Sequence, residues 1–354
     1  MIPTSFVRGL ALIFGLLAGT TTRAVEIPNA AQPRLATTTT GRVFLAYGAG
    51  NTVYVARSDD GGTTFTPASA AASVQKLMLG MRRGPRIAAS GDRVTVTFIA
   101  HELLAVHSAD GGRTWSEPVT LNTVATSARE GLHDLATGPD GRLFVTWLDM
   151  RNGKMELWGA DSVDGGRSWG ANARVYQSPA KSICECCHPT ALFDAAGNLA
   201  VMWRNEIAGD RDMWLAVRPA GTKEFNPARK LGTGTWTLKA CPMDGGGLVA
   251  LGGGAFASVW QRAGEVFFCP ANGPEIKLGA GKQPLVALID GQPLVLWQQG
   301  ATLAAAKISP TIEPLPAMQN GRAAVMAAPP AGRGTLLAYE TGPAKSPSVV
   351  VERR

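Results

Sequence analysis

Ser58-Asp59-Asp60-Gly61-Gly62-Thr63-Thr64-Phe65 returns as Ser108-Ala109-Asp110-Gly111-Gly112-Arg113-Thr114-Trp115 and again as Ser162-Val163-Asp164-Gly165-Gly166-Arg167-Ser168-Trp169. The period, about 50 residues, marks a propeller or solenoid built from one supersecondary unit. Each copy is a turn device: the aspartate accepts from backbone N–H groups, the glycines permit positive φ, and the aromatic packs into a sheet. Such a turn says nothing direct about catalysis.

Working outward, each turn follows two short strands rich in valine and aromatics: Val43 to Tyr47 with Thr52 to Arg57, Val94 to Ile99 with Leu103 to His107, and Leu143 to Leu148 with Glu156 to Ala160. The pairing continues without the turn motif at Leu199 to Arg204, Phe256 to Gln261, Pro293 to Gln298 and Thr335 to Glu340, each with a partner. A further apolar segment precedes each pair, such as Pro33 to Thr37, Arg86 to Ala89 or His133 to Ala136. Repeated four-stranded units without helical periodicity predict an all-β fold, a β-propeller, over 25–354 as a single domain. Seven units are counted. Six is the alternative if the last completes the first, and Val25 to Ile27 is the candidate strand for closing the ring.

The S-x-D-x-G-x-T-W pattern resembles the Asp-box, or BNR, repeat of the sialidase superfamily. That resemblance implies a propeller, six-bladed in sialidases, with three arginines on the substrate carboxylate, a tyrosine nucleophile paired with a glutamate, and an aspartate as acid/base. The first family arginine sits in R-I-P; here Pro33-Arg34-Leu35 places the proline on the other side, so the pattern is altered at Arg34. Among four tyrosines, Tyr339 beside Glu340 is the one that resembles the nucleophile, and it reads equally well as core.

With the strands of each unit lettered A to D from axis to rim, the Asp turns join C to D. The D-to-A connections and B-to-C hairpins then share the opposite face. That face collects Met81-Arg82-Arg83-Gly84-Pro85-Arg86, Arg129-Glu130-Gly131-Leu132-His133-Asp134, Cys184 to Pro189 and Cys241-Pro242-Met243-Asp244-Gly245-Gly246, with Arg151, Arg204 and Arg211 on hairpins. Loops carrying dense chemistry on one face of a rigid scaffold mark the functional face. Arg82, Arg86, Arg151, Arg204 and Arg211 are candidate substrate-binding residues, because guanidinium groups hold carboxylates bidentately. Arg151 next to Asp149, and Arg211 next to Asp212, read equally well as hairpin ion pairs. Glu130, His133 and Asp134 are candidate proton-transfer groups, with Tyr339 as the candidate nucleophile.

Ser182-Ile183-Cys184-Glu185-Cys186-Cys187-His188-Pro189 places three of five cysteines and one of four histidines in five consecutive residues. Cys241 opens the next unit, so it is expected near the same place. Three or four sulfurs with His188 or Met243 make a soft donor set that selects copper(I) or zinc. Cys186 and Cys187, being adjacent, point apart in an extended chain, so one of them is expected to join Cys184. A disulfide from Cys241 to the cluster competes with the metal reading. The string also satisfies C-x-x-C-H, the c-type haem signature; Pro189, the following strand and the intervening Cys186 argue against haem. Cys269, on a C strand, is expected to be buried.

Residues 1–24 read as an export signal: Arg8, the apolar run Gly9 to Gly19, then Thr20 to Arg23 and Ala24. The run is too short for a membrane span. The formal charge of +7 falls to +5 without it, and no lysine or arginine run tracks phosphates, which argues against nucleic acid. The string Cys-Glu-Cys-Cys-His-Pro, with the arginine and histidine stretches above, is similar to a group of exported bacterial sialidase-like proteins. The expectation is thus a periplasmic or secreted propeller with a cysteine-lined metal site. Two alternatives stand beside it: a hydrolase of anionic sugars, and a disulfide-stapled binding module.

Overall fold

The computed structural model describes residues 24–329 and 334–354. Residues 1–23 of the expected export signal lie outside them. No helix among the described residues is long and apolar enough to cross a membrane.

The strands form seven antiparallel sheets of four strands each. Their inner (A) strands are Ala31–Thr37, Arg86–Ser90, His133–Thr137, Thr190–Phe193, Gly246–Gly252, Lys282–Ile289 and Arg322–Ala327, heading blades 1 to 7. Each inner strand touches the inner strands on both sides, and the seventh touches the first, so the sheets close a ring. Seven blades, not six, make up the propeller. The reason is the closing strand: Val25–Ile27 pairs with Ser348–Arg353 in the register Val25↔Val351 to Ile27↔Val349, completing blade 7 rather than adding to blade 1.

The second (B) strand of each blade lies between neighbours and is buried almost throughout, whereas the third alternates, as Thr52–Ser58 does. Each B strand carries an aromatic toward its end: Tyr47, Phe98, Trp147, Trp203, Trp260, Trp297 and Tyr339. Trp147, Trp203 and Trp260 are the largest fully buried side chains. Burying a side chain of this size contributes roughly 2–3 kcal/mol, so these strands carry much of the cohesion between blades. Tyr339 belongs to this set. It packs beside Leu285, Leu296 and Leu303 of blade 6, while Glu340 accepts from Gln32 and Arg322. Burial holds the Tyr339 hydroxyl above its ordinary pKa.

In the second Asp turn, the Thr114 hydroxyl donates to Asp110 at 2.6 Å and the Thr114 and Arg113 amides donate at 2.9 Å. These bonds, led by Thr114, hold the carboxyl below the ordinary range. Burial alone would raise Asp164; the Ser168 hydroxyl and amide and the Ser162 hydroxyl outweigh it and bring the group to about 2. The turns also reach the preceding blade. The Gly165 carbonyl accepts from Thr95 at 2.6 Å, and a Cβ on Gly166, at φ 88°, would meet Thr95 Oγ1 at 2.2 Å.

Because Asp110 and Asp164 have folded pKa values below the unfolded value of about 4, their contribution is complete above pH ~4 and is lost as pH falls toward 2. Thermal melts across this window should show an acid limb. The double variant Asp110→Asn, Asp164→Asn should melt lower at pH 7 and show a shallower limb; an unchanged limb would remove these turns as its cause.

Candidate functional site

The cysteine segment leaves the rim of blade 3 and runs inward to Thr190. It is fixed by Ile183 N donating to Met155 O at 2.9 Å and Cys184 N donating to Arg204 O at 3.1 Å. This anchoring curls the chain so that three sulfurs converge. Cys184 Sγ lies 3.7 Å from Cys186 Sγ and 3.5 Å from Cys187 Sγ, and all three lie within 4.8 Å of one another. Both adjacent cysteines therefore join Cys184, contrary to the expectation from an extended chain; the segment is a turn here, not a strand. Cys184 and Cys187 are each 1% exposed and Cys186 is half-buried. Arg211 Nη1 donates to Cys184 Sγ at 3.1 Å. Sulfur contacts with Cys186 and Cys187, and the charge of Arg211, draw Cys184 well below an ordinary thiol. Burial and the neighbouring Cys184 push Cys187 up to about 12.

Cys241 is exposed and stands outside the trio, though within electrostatic reach of Arg211. It opens blade 5 as expected, but the connection over 231–245 is pinned through Arg211 N to Trp236 O and Arg211 Nε to Leu238 O, and carries Cys241 to the surface. All five cysteines are free, so the staple between blades 4 and 5 is not formed. Cys269 is buried, as expected. His188 also stands apart from the sulfurs. A Cβ at Gly245 would meet the His188 carbonyl oxygen at 2.3 Å and two ring atoms at 2.6 Å, so only glycine lets blade 5 approach. Met243, 38% exposed, holds a left-handed φ of 54°.

A second group surrounds the axis. Arg34, Arg86 and Asp134 occupy equivalent register positions on the inner strands of blades 1 to 3, opposite Ala46, Thr97 and Thr146. Arg86 donates to Asp134 at 3.2 Å and, folding back, to the Gly84 and Arg82 carbonyls at 2.6 Å. Asp134 Oδ2 accepts from Ala191 N at 3.0 Å. Arg82 donates to Gln283 O at 2.8 Å, while its buried Nε has no hydrogen-bond partner. His133 is fully buried; Nε2 meets Thr97 Oγ1 at 3.1 Å and Nδ1 has no partner. Burial, then nearby arginines, holds His133 and His188 well below ordinary histidine, so both are neutral at pH 7.

The remaining candidates are dispersed. Arg151 pairs with Asp149 at 2.8 Å, touches Asn172 and stacks 3.7 Å over the Trp158 ring, which makes it a hairpin brace. Arg204 donates to the carbonyls of Asp244, Arg211 and Gln261. Glu130 presents its carbonyl to Arg83 Nε at 2.7 Å. The five arginines thus do not make one clamp: Arg82 and Arg86 are axial, Arg204 and Arg211 back the cysteines, and Arg151 is elsewhere.

Among solved structures, the polysaccharide lyase Uly1 is similar over 93% of this chain and 99% of its own, with 9% identity and a TM-score of 0.55. The Hadza microbial sialidase Hz136 matches over 82% of this chain and 66% of its own, with 16% identity and a TM-score of 0.47. The Penicillium chrysogenum alpha-L-arabinanase complexed with arabinobiose covers 79% and 88%, with 12% identity and a TM-score of 0.48. The chain folds as a seven-bladed β-propeller. No family model and no curated protein matches the sequence, and identities this low speak for fold alone.

In this propeller the sequence reasoning missed Asp244 and Gln283. Asp244 Oδ2 accepts from Gln283 N at 2.6 Å, Oδ1 is buried without a partner, and burial raises the carboxyl to about 6. The only sequence signal was the clustering of Asp244 with three glycines. A folded pKa above the unfolded value means that ionising Asp244 costs stability as pH rises through about 6. Asp244→Asn should therefore raise stability at pH 7.5 by about 1–2 kcal/mol, with the gain vanishing near pH 4. Denaturant titrations at both pH values check this; an equal effect at both would remove the ionisation as its cause.

Proposed function

We infer that this is an exported propeller, periplasmic or secreted, whose Cys184, Cys186 and Cys187 bind a soft metal ion, copper ahead of zinc. The observation that carries the reading is the convergence of three sulfurs with neighbouring separations of 3.5 and 3.7 Å. A thiolate site with metal–sulfur bonds of 2.3 Å in tetrahedral geometry has sulfur edges of about 3.8 Å, so the trio needs little rearrangement. Sulfur donors favour copper(I) and zinc over harder ions. Cys241, His188 and Met243 are not required as ligands in this reading. Binding, handling or redox use of the ion would follow from the one open side left by a three-donor set.

Elemental analysis of protein purified without chelators tests it. We expect close to one copper or zinc per chain, lost in Cys184→Ser and Cys187→Ser and kept in Cys241→Ser. No metal in the wild type, or metal indifferent to Cys184→Ser, would overturn the reading.

A second reading rests on the axis. Arg34, Arg82 and Arg86 place three guanidinium groups within electrostatic reach of one another, and Arg82 Nε lies buried without a partner. This is a setting for an anionic group, and an acidic sugar is the class the fold's resemblance implies. Arg82→Gln should then weaken binding of sialic-acid-type sugars about tenfold or more, as expected for loss of a charge-assisted bond, with metal content unchanged. Hydrolysis or binding that persists undiminished in Arg82→Gln would place the sugar elsewhere.

A further inference from the structure

The three sulfurs converge but are not equally open. Cys184 and Cys187 are each 1% exposed, whereas Cys186 is half-buried and keeps part of its surface in solvent. Metal binding accounts for the convergence; it gives no reason for one thiol to be open and two closed. Cys184 is the hub, with Cys187 Sγ at 3.5 Å and Cys186 Sγ at 3.7 Å. Cys241 is exposed and outside the group, and the Cys269 thiol faces Gly273 O on another blade.

This arrangement suits thiol–disulfide exchange. Cys184-x-x-Cys187 has the spacing of dithiol redox centres. Bonding their sulfurs at about 2.0 Å requires the pair to close by about 1.5 Å. Cys184 to Cys187 lie on a turn, so that movement breaks no strand pairing. The half-buried Arg211 donates Nη1 to Cys184 Sγ at 3.1 Å and is held in place by Nε donating to Leu238 O at 3.0 Å. A guanidinium donor favours the thiolate, which is the attacking form.

We propose that the trio is a thiol–disulfide exchange centre in which Cys186 takes in oxidising equivalents and Cys184 with Cys187 stores them as a disulfide. The oxidant is a low-molecular-weight disulfide, R–S–S–R. The Cys186 thiolate attacks one of its sulfurs, forming Cys186–S–S–R and releasing RS⁻, which takes up the proton that Cys186 gave up. The Cys184 thiolate then attacks Cys186 Sγ, forming the Cys184–Cys186 bond and expelling the second RS⁻, which takes up the proton from Cys184. Finally the Cys187 thiolate attacks Cys184 Sγ and expels the Cys186 thiolate, which recovers the proton from Cys187. The thiols of Cys184 and Cys187 are oxidised, R–S–S–R is reduced to two R–SH, and Cys186 is regenerated. This activity does not require the metal; because the same sulfurs would hold the ion, a bound ion and the disulfide exclude each other.

The test therefore incubates the full-length protein with a chelator in glutathione buffers of graded redox ratio, and maps disulfides by alkylation and peptide mass spectrometry. Wild type should lose two of its five free thiols and yield the Cys184–Cys187 disulfide. Cys186→Ser should reach the same disulfide about tenfold more slowly or worse, since access limits exchange and the remaining two sulfurs are closed. Cys187→Ser should stop at Cys184–Cys186, and Cys184→Ser should stop with glutathione on Cys186. A merely structural role for Cys186 would leave the rate of oxidation unchanged. Oxidation of Cys186→Ser at the wild-type rate, a final disulfide to Cys241, or no internal disulfide in wild type at any ratio overturns the proposal. Absence of metal from the purified protein overturns the metal reading alone, since the disulfide should form all the same. Should a serine variant not fold by circular dichroism, the alanine variant replaces it, and the wild-type map needs no variant.

Discussion

Everything in this molecule depends on burying one strand per blade against the next blade. The second strands are apolar on both faces, and no single sheet can hide both. Stacking around a ring solves the problem for every sheet at once, and the aromatic near the end of each strand fills the wedge between neighbours. Rigidity follows, because close-packed interiors resist local rearrangement. The connections on the box-free face are thereby presented from a frame that does not need them for its own stability.

That freedom shows in how charge is distributed. On the box face, aspartates are spent on turns, and their partners are hydroxyls and amides a few residues away. On the opposite face, Arg82 and Arg204 are buried with carbonyl partners instead of carboxylates, and Arg82 Nε, His133 Nδ1 and Asp244 Oδ1 have no hydrogen-bond partner. Leaving buried polar atoms unpaired costs free energy, roughly 1–3 kcal/mol each. Such costs collect where a scaffold serves something other than its own folding.

The fold was legible because its signals are local and repeated. Three near-identical turns set the period, and alternation within Thr52–Ser58 and Glu102–Ser108 set the strands. Even the closing role of Val25–Ile27 followed from the requirement that a ring have no open edge. The site was legible only in part. Composition singled out Cys184, Cys186 and Cys187, but adjacency in sequence argued against Cys186 and Cys187 acting together, and only the turn anchored on Met155 and Arg204 brings them to one point. Blade adjacency predicts that Cys241 joins the trio, but blade position fixes where a connection starts, not which way its middle faces. The convergence of Arg34 with Arg86 and Asp134 depends on strand register across three blades, which no short window of sequence contains.

The closure of blade 7 by strands from both chain ends has a topological consequence. Val25–Ile27 and Ser348–Arg353 are hydrogen-bonded neighbours in one sheet, so the order in which the blades are threaded along the chain is a matter of where the polypeptide is cut, not of which contacts exist. A circularly permuted chain, with the old termini linked and new ones opened in an exposed turn between blades, would keep every sheet and every buried aromatic. It would exchange a non-local pairing in blade 7 for a local one, and with it shift the slowest contact of folding to another place on the ring.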